Sequence, residues 1–291
     1  MRGLVADIGG THSRFALVHQ GALVPSSIKV FANENADSFV DLARQFIAGS
    51  QAGTINACVI ALAGPVSGRR ARLTNLSWDF DADALQHHLD IPSVTLMNDL
   101  SAAGYAVPTL SSDQLLPLHQ PRGSGGEPGQ SLVVGLGTGF NLCPIIQTAT
   151  DVHCLEMEFG HVALPCSVQQ ALGPALRALS GPSDTVEDWF SGRGFARFQD
   201  AGSTVEAYAA LLGALSRELV VGFLPRGGIY FNGGVARSVL SGPAQDAFVR
   251  SFARPFAQWP DLSAPVSLIL DDAAALWGCA TRLARQSQEL E

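Results

Sequence analysis

The sequence predicts an α/β protein built on a duplicated half. Three observations predict it. Strand-like and helix-like segments alternate through the first hundred residues. The strand candidates are continuous apolar runs that stop at glycine, as "ACVIALAGP" stops at Gly64-Pro65, the pattern of strands buried on both faces. The opening stretch "VADIGGTHSRFALV" has a counterpart in "SLVVGLGTGFNLCPII", about 128 residues downstream. Each reads as an apolar strand, a glycine turn with a threonine, and a second apolar strand, so each half of the chain carries one glycine hairpin.

The elements follow in order. Residues 4–6 and 15–18 read as the strands of the first hairpin, and 27–31 as a further strand. Residues 36–48 read as a helix, because Phe39, Leu42, Ala43, Phe46 and Ile47 share one face. Ala57–Leu62 is a buried strand, 81–89 a helix, 94–97 a short strand, and 100–107 a helix stopped by Pro108. Residues 112–130 are rich in Pro, Gly and Gln and read as a loop near a domain boundary. After the second hairpin come the long amphipathic helix Val205–Phe223, the strand, glycine turn and helix start of "GGIYFNGGVARSVL", a last strand over 266–270 and a last helix over 272–285.

Composition bounds the function. A chain of 291 residues that is 47% hydrophobic and 15% charged buries a sizeable core in one large domain or two ordinary ones. No apolar run reaches membrane-spanning length, and no signal peptide is read. Five cysteines without a CxxC pair suit free thiols in the cytoplasm rather than a disulfide scaffold or a structural zinc. The net charge of -8, with no basic cluster beyond Arg69, Arg70 and Arg72, argues against nucleic acid as a partner. Lys29 is the only lysine, and no GxxxxGK[ST] occurs. Phosphate handling would therefore fall to backbone N–H groups, arginine and a metal ion.

The hairpins are the first chemical candidates. Facing glycine turns bare backbone N–H groups that can nest a nucleotide's phosphates. Asp7 at a strand end suits Mg²⁺, directly or through water, since that ion takes few carboxylates and keeps its waters. Thr11 and Thr138 offer hydroxyls to phosphate oxygens, and Arg14 either does the same or pairs with Asp7. The plain alternative is two ordinary hairpins whose glycines supply positive φ. A dinucleotide fold does not fit "GLGTG", because the strand-like Phe140, Leu142 and Ile145 follow where a helix is required.

Seven segments in order then carry a resemblance. "DIGGTHSRFAL", "LAGPVSG" with "TNLSW", "MNDLSA", "GLGTGFN", "EFGH", "VEDWFSGRG" and "FNGGVAR" together resemble the bacterial glucokinase family, within the actin-like ATPase superfamily of sugar kinases. The resemblance implies a two-domain α/β actin-like ATPase (hexokinase/ribonuclease H-like) fold with an interdomain cleft. It places residues 1–107 plus 273–291 in a small domain and 108–272 in a large one. It implies ATP-dependent phosphorylation of glucose at the 6-hydroxyl, with Mg²⁺ as cofactor and a homodimer as a possible assembly.

The same resemblance distributes roles. Asp99 becomes the general base, and Asn75, Asn98, Asp99, Glu158, His161 and Glu187 the sugar contacts. Asp7, Gly9, Gly10, Thr11, Arg14, Gly137, Thr138, Gly139, Gly233 and Gly234 become the nucleotide side. Each residue also has a plain reading. Asp99 fits a helix N-cap, His161 a core histidine, and Glu158 a surface carboxylate. Asp184 with Glu187 fits a capping box, and the Gly233-Gly234 pair a helix-entry turn. Two departures from the family pattern stand out: His12 where it usually has Asn, and Asn141 where it usually has Gly, a change expected to crowd the phosphate turn. The chain is also slightly short for the family. A kinase for mannose, fructose or an N-acetylhexosamine, and a sugar-binding pseudokinase or sensor, are the alternatives.

Overall fold

The computed structural model describes residues 2–50, 52–73, 76, 78–121, 129–181 and 183–289. The chain divides into two compact units, residues 1–110 with 273–291, and residues 111–272.

The first unit is built on β1 (Arg2–Ile8), β2 (His12–His19), β3 (Ala22–Leu23), β4 (Lys29–Ala32), α1 (Phe39–Ala48) and β5 (Ala57–Leu62). There follow the short strands β6 (Val66–Ser67), β7 (Arg70–Arg72) and β8 (Asp79–Asp81), then α2 (Ala82–Leu89), β9 (Ser93–Asn98) and α3 (Asp99–Ala106). Its main sheet runs β3-β2-β1-β5-β9, with β4 pairing β2. β1 and β2 form an antiparallel hairpin, whereas β1, β5 and β9 are parallel.

Alternate residues of β1 explain why both faces are apolar. Leu4, Ala6 and Ile8 pack with Phe39, Leu42 and Phe46 of α1 and Leu85 of α2. Val5 packs on the opposite face with Val59, Ala61, Ala102 and the last helix. α1 begins at Phe39 rather than at 36 because Ser38 caps it, accepting the Asp41 N–H. The Arg69–Asp83, Arg70–Asp81 and Arg72–Asp79 ion pairs neutralise the one basic cluster of the sequence.

The second unit contains β10 (Leu115–His119), β11 (Gln130–Leu136), β12 (Phe140–Gln147), β13 (Val152–Cys154), α4 (Cys166–Ala171), α5 (Pro174–Arg177), α6 (Val186–Phe190) and α7 (Gly192–Asp200). It continues with α8 (Val205–Phe223), β14 (Gly228–Asn232), α9 (Gly234–Leu240), α10 (Gln245–Phe252) and β15 (Val266–Ile269). α11 (Ala274–Glu289) returns to the first unit, where Leu276, Cys279 and Leu283 fill the face carrying Val5.

The second sheet runs β10-β15-β14-β11-β12-β13. Its β12-β11-β14-β15 path repeats β2-β1-β5-β9: an antiparallel hairpin, then two parallel neighbours. The duplication read from two glycine turns is therefore a duplication of topology. One expectation is corrected. Residues 112–130 are not a single loop, since Leu115–His119 form a strand paired with β15, 150 residues away in sequence. Pro117 is tolerated because β10 lies at the sheet edge. Among the described residues no helix is long and apolar enough to cross a membrane.

Candidate active site

In the first unit the candidate groups gather at the carboxyl ends of the parallel strands, where open α/β sheets bind ligands. Asp7 is the penultimate residue of β1, and Asp99 follows β9 directly. Asp7 is buried and paired with Arg14, Nη1 to Oδ2 at 3.3 Å, which settles Arg14 as its partner across the hairpin. Asp99 is half-buried. Burial, followed by the nearby Asp7 charge, pushes the Asp99 carboxyl up to about 7. Asp99 is not the helix cap. Asn98 is, accepting the N–H groups of Leu100 and Ser101 at 2.9 and 3.2 Å, while its Nδ2 donates to the Gly64 carbonyl. Asp99 Oδ1 shares the Leu100 N–H with that cap, at 2.8 Å, and among the described residues Asp99 has no cation or side-chain partner.

The turn between β1 and β2 has a brace that sequence reasoning missed. Asn33, buried just after β4, donates from Nδ2 to the Gly9 carbonyl at 2.8 Å and accepts the Ser13 hydroxyl at 2.6 Å. Its backbone N–H donates to the Thr11 carbonyl at 2.9 Å. The available signal was a polar residue closing a strand in "KVFANEN", too common to single out. Thr11 and Gly10 are exposed at the tip. Asn75 lies outside the described residues.

In the second unit, Glu187 braces the equivalent turn. Its Oε2 accepts the Phe140 N–H at 3.0 Å, and its Oε1 faces Arg193 at 3.5 Å. A side chain at Gly139 would bring its Cβ within 2.8 Å of that carboxylate. Glu187 is free to do this because the capping box is one residue away from the expected place. Thr185 is the N-cap and Asp188 the N3 partner. Asp184 is occupied instead by the Gly181 N–H and the Trp189 indole. The Gly192 N–H, at the start of α7, closes on the Gly137 carbonyl at 2.7 Å, and Thr138 is exposed at the tip.

The expectation that hairpin glycines supply positive φ is also corrected. Gly9, Gly137 and Gly139 all lie outside the left-handed region. Gly233, in contrast, has φ +113°, and a Cβ there would collide with the Leu136 carbonyl. Its helix-entry role and its close approach to the second hairpin are one requirement. Gly234 opens α9 and is exposed.

Glu158 and His161 bracket a 3₁₀ turn, Phe159–His161. Both are exposed, 3.9 Å apart through Oε2 and Nε2. The buried Gly160 lets this turn rest on the Phe140 carbonyl, so His161 is not a core histidine. Asn141 does not crowd the second glycine turn. Its side chain leaves the hairpin for Met157, Glu158 and Phe159.

The donor set can be tested for a metal. Among the described residues no three His, Cys, Asp or Glu side chains cluster into a cage. A single carboxylate at Asp7, with Asp99 near it, suits an ion that arrives on phosphates and keeps its water, as Mg²⁺ does.

Comparison with known proteins gives the family. The family profile described as Glucokinase matches residues 4–201 and 193–286. Glucokinase of Chromobacterium violaceum is 28% identical over 319 residues, covering 97% of this chain and 89% of its own. Glucokinase of Caulobacter vibrioides is 27% identical over 317 residues, covering 97% and 95%. The crystal structure of a glucokinase from an Antarctic psychrotroph superposes with a TM-score of 0.81 at 25% identity, covering 98% of this chain and 99% of that one. A ROK family glucokinase from Streptomyces griseus, solved in complex with glucose and AMPPNP, shares the fold with a TM-score of 0.60 at 22% identity, covering 98% and 100%.

Proposed function

The chain belongs to the glucokinase family, and on that premise we propose how its residues divide the transfer of a phosphoryl group from ATP to the 6-hydroxyl of glucose. Asp99 is the general base. It accepts the hydroxyl proton as the sugar oxygen attacks the γ-phosphorus, a contribution of roughly 10²–10⁴-fold. The observation that carries this assignment is a carboxylate beyond a parallel strand end, raised to about 7 and paired with no cation among the described residues. A base poised near neutral pH both exists ionised and drives proton transfer. An aspartate held by a salt bridge would be too weak.

Asp7 is assigned to water-mediated contact with Mg²⁺, which, held on the ATP phosphates, offsets charge on the transferred group. Arg14 orients Asp7 across the hairpin. The turn N–H groups and the exposed hydroxyls of Thr11 and Thr138 are assigned to phosphate oxygens, and Gly233 and Gly234 to the adenosine side. Glu158 and His161 bind sugar hydroxyls, with Asn98 offering its remaining amide hydrogen. Glu187 contributes Oε1 to the sugar while Oε2 holds the hairpin. Asn75 completes the set from the resemblance alone. The protein's work is positioning and electrostatics rather than covalent chemistry. We place the reaction in the cytoplasm, where ATP is available and the five free cysteines stay reduced.

ADP release from Mg-ATP, measured with glucose, mannose, fructose and N-acetylglucosamine for wild type and Asp99→Asn, tests the assignment. Turnover with glucose that disappears in the variant supports it. Turnover retained by the variant removes Asp99 as base. Turnover with another hexose alone moves the substrate and keeps the chemistry.

A further inference from the structure

We propose that Asn141 is a positioning residue for the sugar carboxylate Glu158; the inference rests on the reading of Glu158 as a hydroxyl acceptor. Asn141 uses both ends of its amide. Oδ1 accepts the N–H groups of Leu142 at 2.8 Å and Phe159 at 2.9 Å. Nδ2 donates to the Met157 carbonyl at 2.6 Å and to Glu158 Oε2 at 3.3 Å. The neighbours fix which end is which, since two N–H groups face one atom and a carbonyl and a carboxylate face the other.

The segment that Asn141 holds has little else to hold it. Residues 155–158 form no regular structure, and Leu155 and Met157 are exposed. Glu158 itself is exposed on that segment. A long glutamate on an irregular loop samples many rotamers, and a ligand that needs one of them binds more weakly for it. Asn141 stands on β12, paired with Gly135 in the core sheet, and carries the order of that sheet into the loop. The contacts to Glu158 are also one-sided. Asn141 and His161 both address Oε2, and Oε1 has no protein partner among the described residues. The free oxygen is thus presented to a hydroxyl while the other is held, the arrangement of a preorganised acceptor. Only an amide does this. Glycine or alanine would strand the Phe159 N–H, and aspartate would set a second carboxylate against Glu158.

Steady-state kinetics with glucose and Mg-ATP test the proposal. Asn141→Asp keeps the acceptor for Leu142 and Phe159 and removes the donor. The expected result is a glucose KM raised about tenfold or more, the worth of one hydrogen bond to a charged group. The kcat and the ATP KM should stay within about threefold. Glu158→Ala should raise the glucose KM by itself, and the double variant should be no worse than Glu158→Ala alone, because one residue acts through the other. Unchanged glucose KM in Asn141→Asp, or effects that add in the double variant, would overturn the positioning role. Unchanged KM in Glu158→Ala would instead overturn the reading beneath it. If Asn141→Asp fails to fold, Asn141→Ala enters the same cycle with the same expected non-additivity.

Discussion

The two glycine hairpins pair in the same antiparallel way but close over turns of different length, residues 9–12 in the first and 137–139 in the second, and they carry different side chains at the equivalent pair. One step before the last paired residues, β1–β2 sets Asp7 opposite Arg14, and β11–β12 sets Gly135 opposite Asn141. In the first hairpin the pair closes on itself as an ion pair. In the second, glycine offers no side chain, and asparagine turns away to hold the 157–159 segment. The braces differ in kind as well. A neutral amide, Asn33, holds the first turn from just beyond β4, and a carboxylate, Glu187, holds the second from a helix 47 residues later. The duplication repeats the strand topology around each turn. The chemistry is set by which side chain occupies the repeated position: one copy carries an ion pair there, and the other an amide that holds a neighbouring loop.

The sharpest contrast lies at the ends of the last parallel strands, and it carries the largest expected effect. Beyond β15, Asp271 accepts from Gln114 and Asp272 pairs with Arg237. Beyond β9, Asp99 has no cation among the described residues, only the Leu100 N–H. Asp99→Asn should therefore lower kcat by roughly 10²–10⁴-fold. Asp272→Asn should leave kcat within about threefold and lower the melting temperature slightly, as loss of a half-exposed ion pair does. Equal losses in the two variants would erase the distinction.

The pH dependence follows from the same carboxyl. Its folded value, about 7, lies above the unfolded one, so ionisation costs the folded state. Stability from the protonated form is present at acid pH and lost as pH rises through about 7, while kcat rises over the same range as the base form accumulates. Ligand-free Asp99→Asn should melt above wild type at pH 8, with the gap narrowing as the pH falls and closing at about pH 4, the range of an unfolded aspartate. A variant that melts lower at pH 8 would mark Asp99 as a structural carboxylate.

A smaller effect is expected at Asp7. Asp7→Ala should cut turnover at limiting Mg-ATP by about tenfold or more while leaving the glucose KM nearly unchanged. Asn141→Asp moves the opposite parameter. If both variants shift the same substrate's KM, the two hairpins do not divide the substrates.

Sequence legibility followed the range of the interactions. Both hairpins, the buried strand Ala57–Leu62 and the helix Val205–Phe223 are visible because periodicity and turn residues are local. β10 was hidden because its partner lies 150 residues away and Pro117 argues for a loop when the sheet edge is unknown. The capping box was misplaced by one residue because Asp184 and Thr185 are both good caps, and only the Trp189 indole decides between them. Asn33 was invisible for a related reason: an asparagine after a strand is ordinary until the Gly9 carbonyl is placed beside it. The resemblance named the residues on both turns and named Glu187 as a sugar contact rather than a brace, and it did not name Asn33.

Gly233 and Ala63 offer a backbone version of the comparison. Each follows the strand beside its hairpin's first strand, and the Ala63 N–H donates to the Ile8 carbonyl as an ordinary continuation. Gly233 instead takes φ +113° against Leu136. Gly233→Ala should destabilise by roughly 1–3 kcal/mol through strain and overpacking, whereas Ala63→Gly should cost about 1 kcal/mol or less. Denaturant unfolding followed by fluorescence reads both, and equal costs would show the two turns to be interchangeable.

The smallest expected effect separates the two cores. In the first unit Phe15 packs against Phe31, Phe39 and Phe46, rings with no polar atom. In the second, Tyr208 takes the central place among Phe190, Phe195 and Phe198, and its hydroxyl is buried with no hydrogen-bond partner among the described residues. A phenol brought out of water without a partner loses its hydration for nothing, so Tyr208→Phe should stabilise by about 1 kcal/mol. Volume and ring geometry are nearly kept, so packing gives no offsetting loss. A shift of the unfolding midpoint to higher denaturant would make the second core resemble the first. A shift to lower denaturant would mean that the hydroxyl has a partner in solution, and that the second unit holds a polar contact where the first has none.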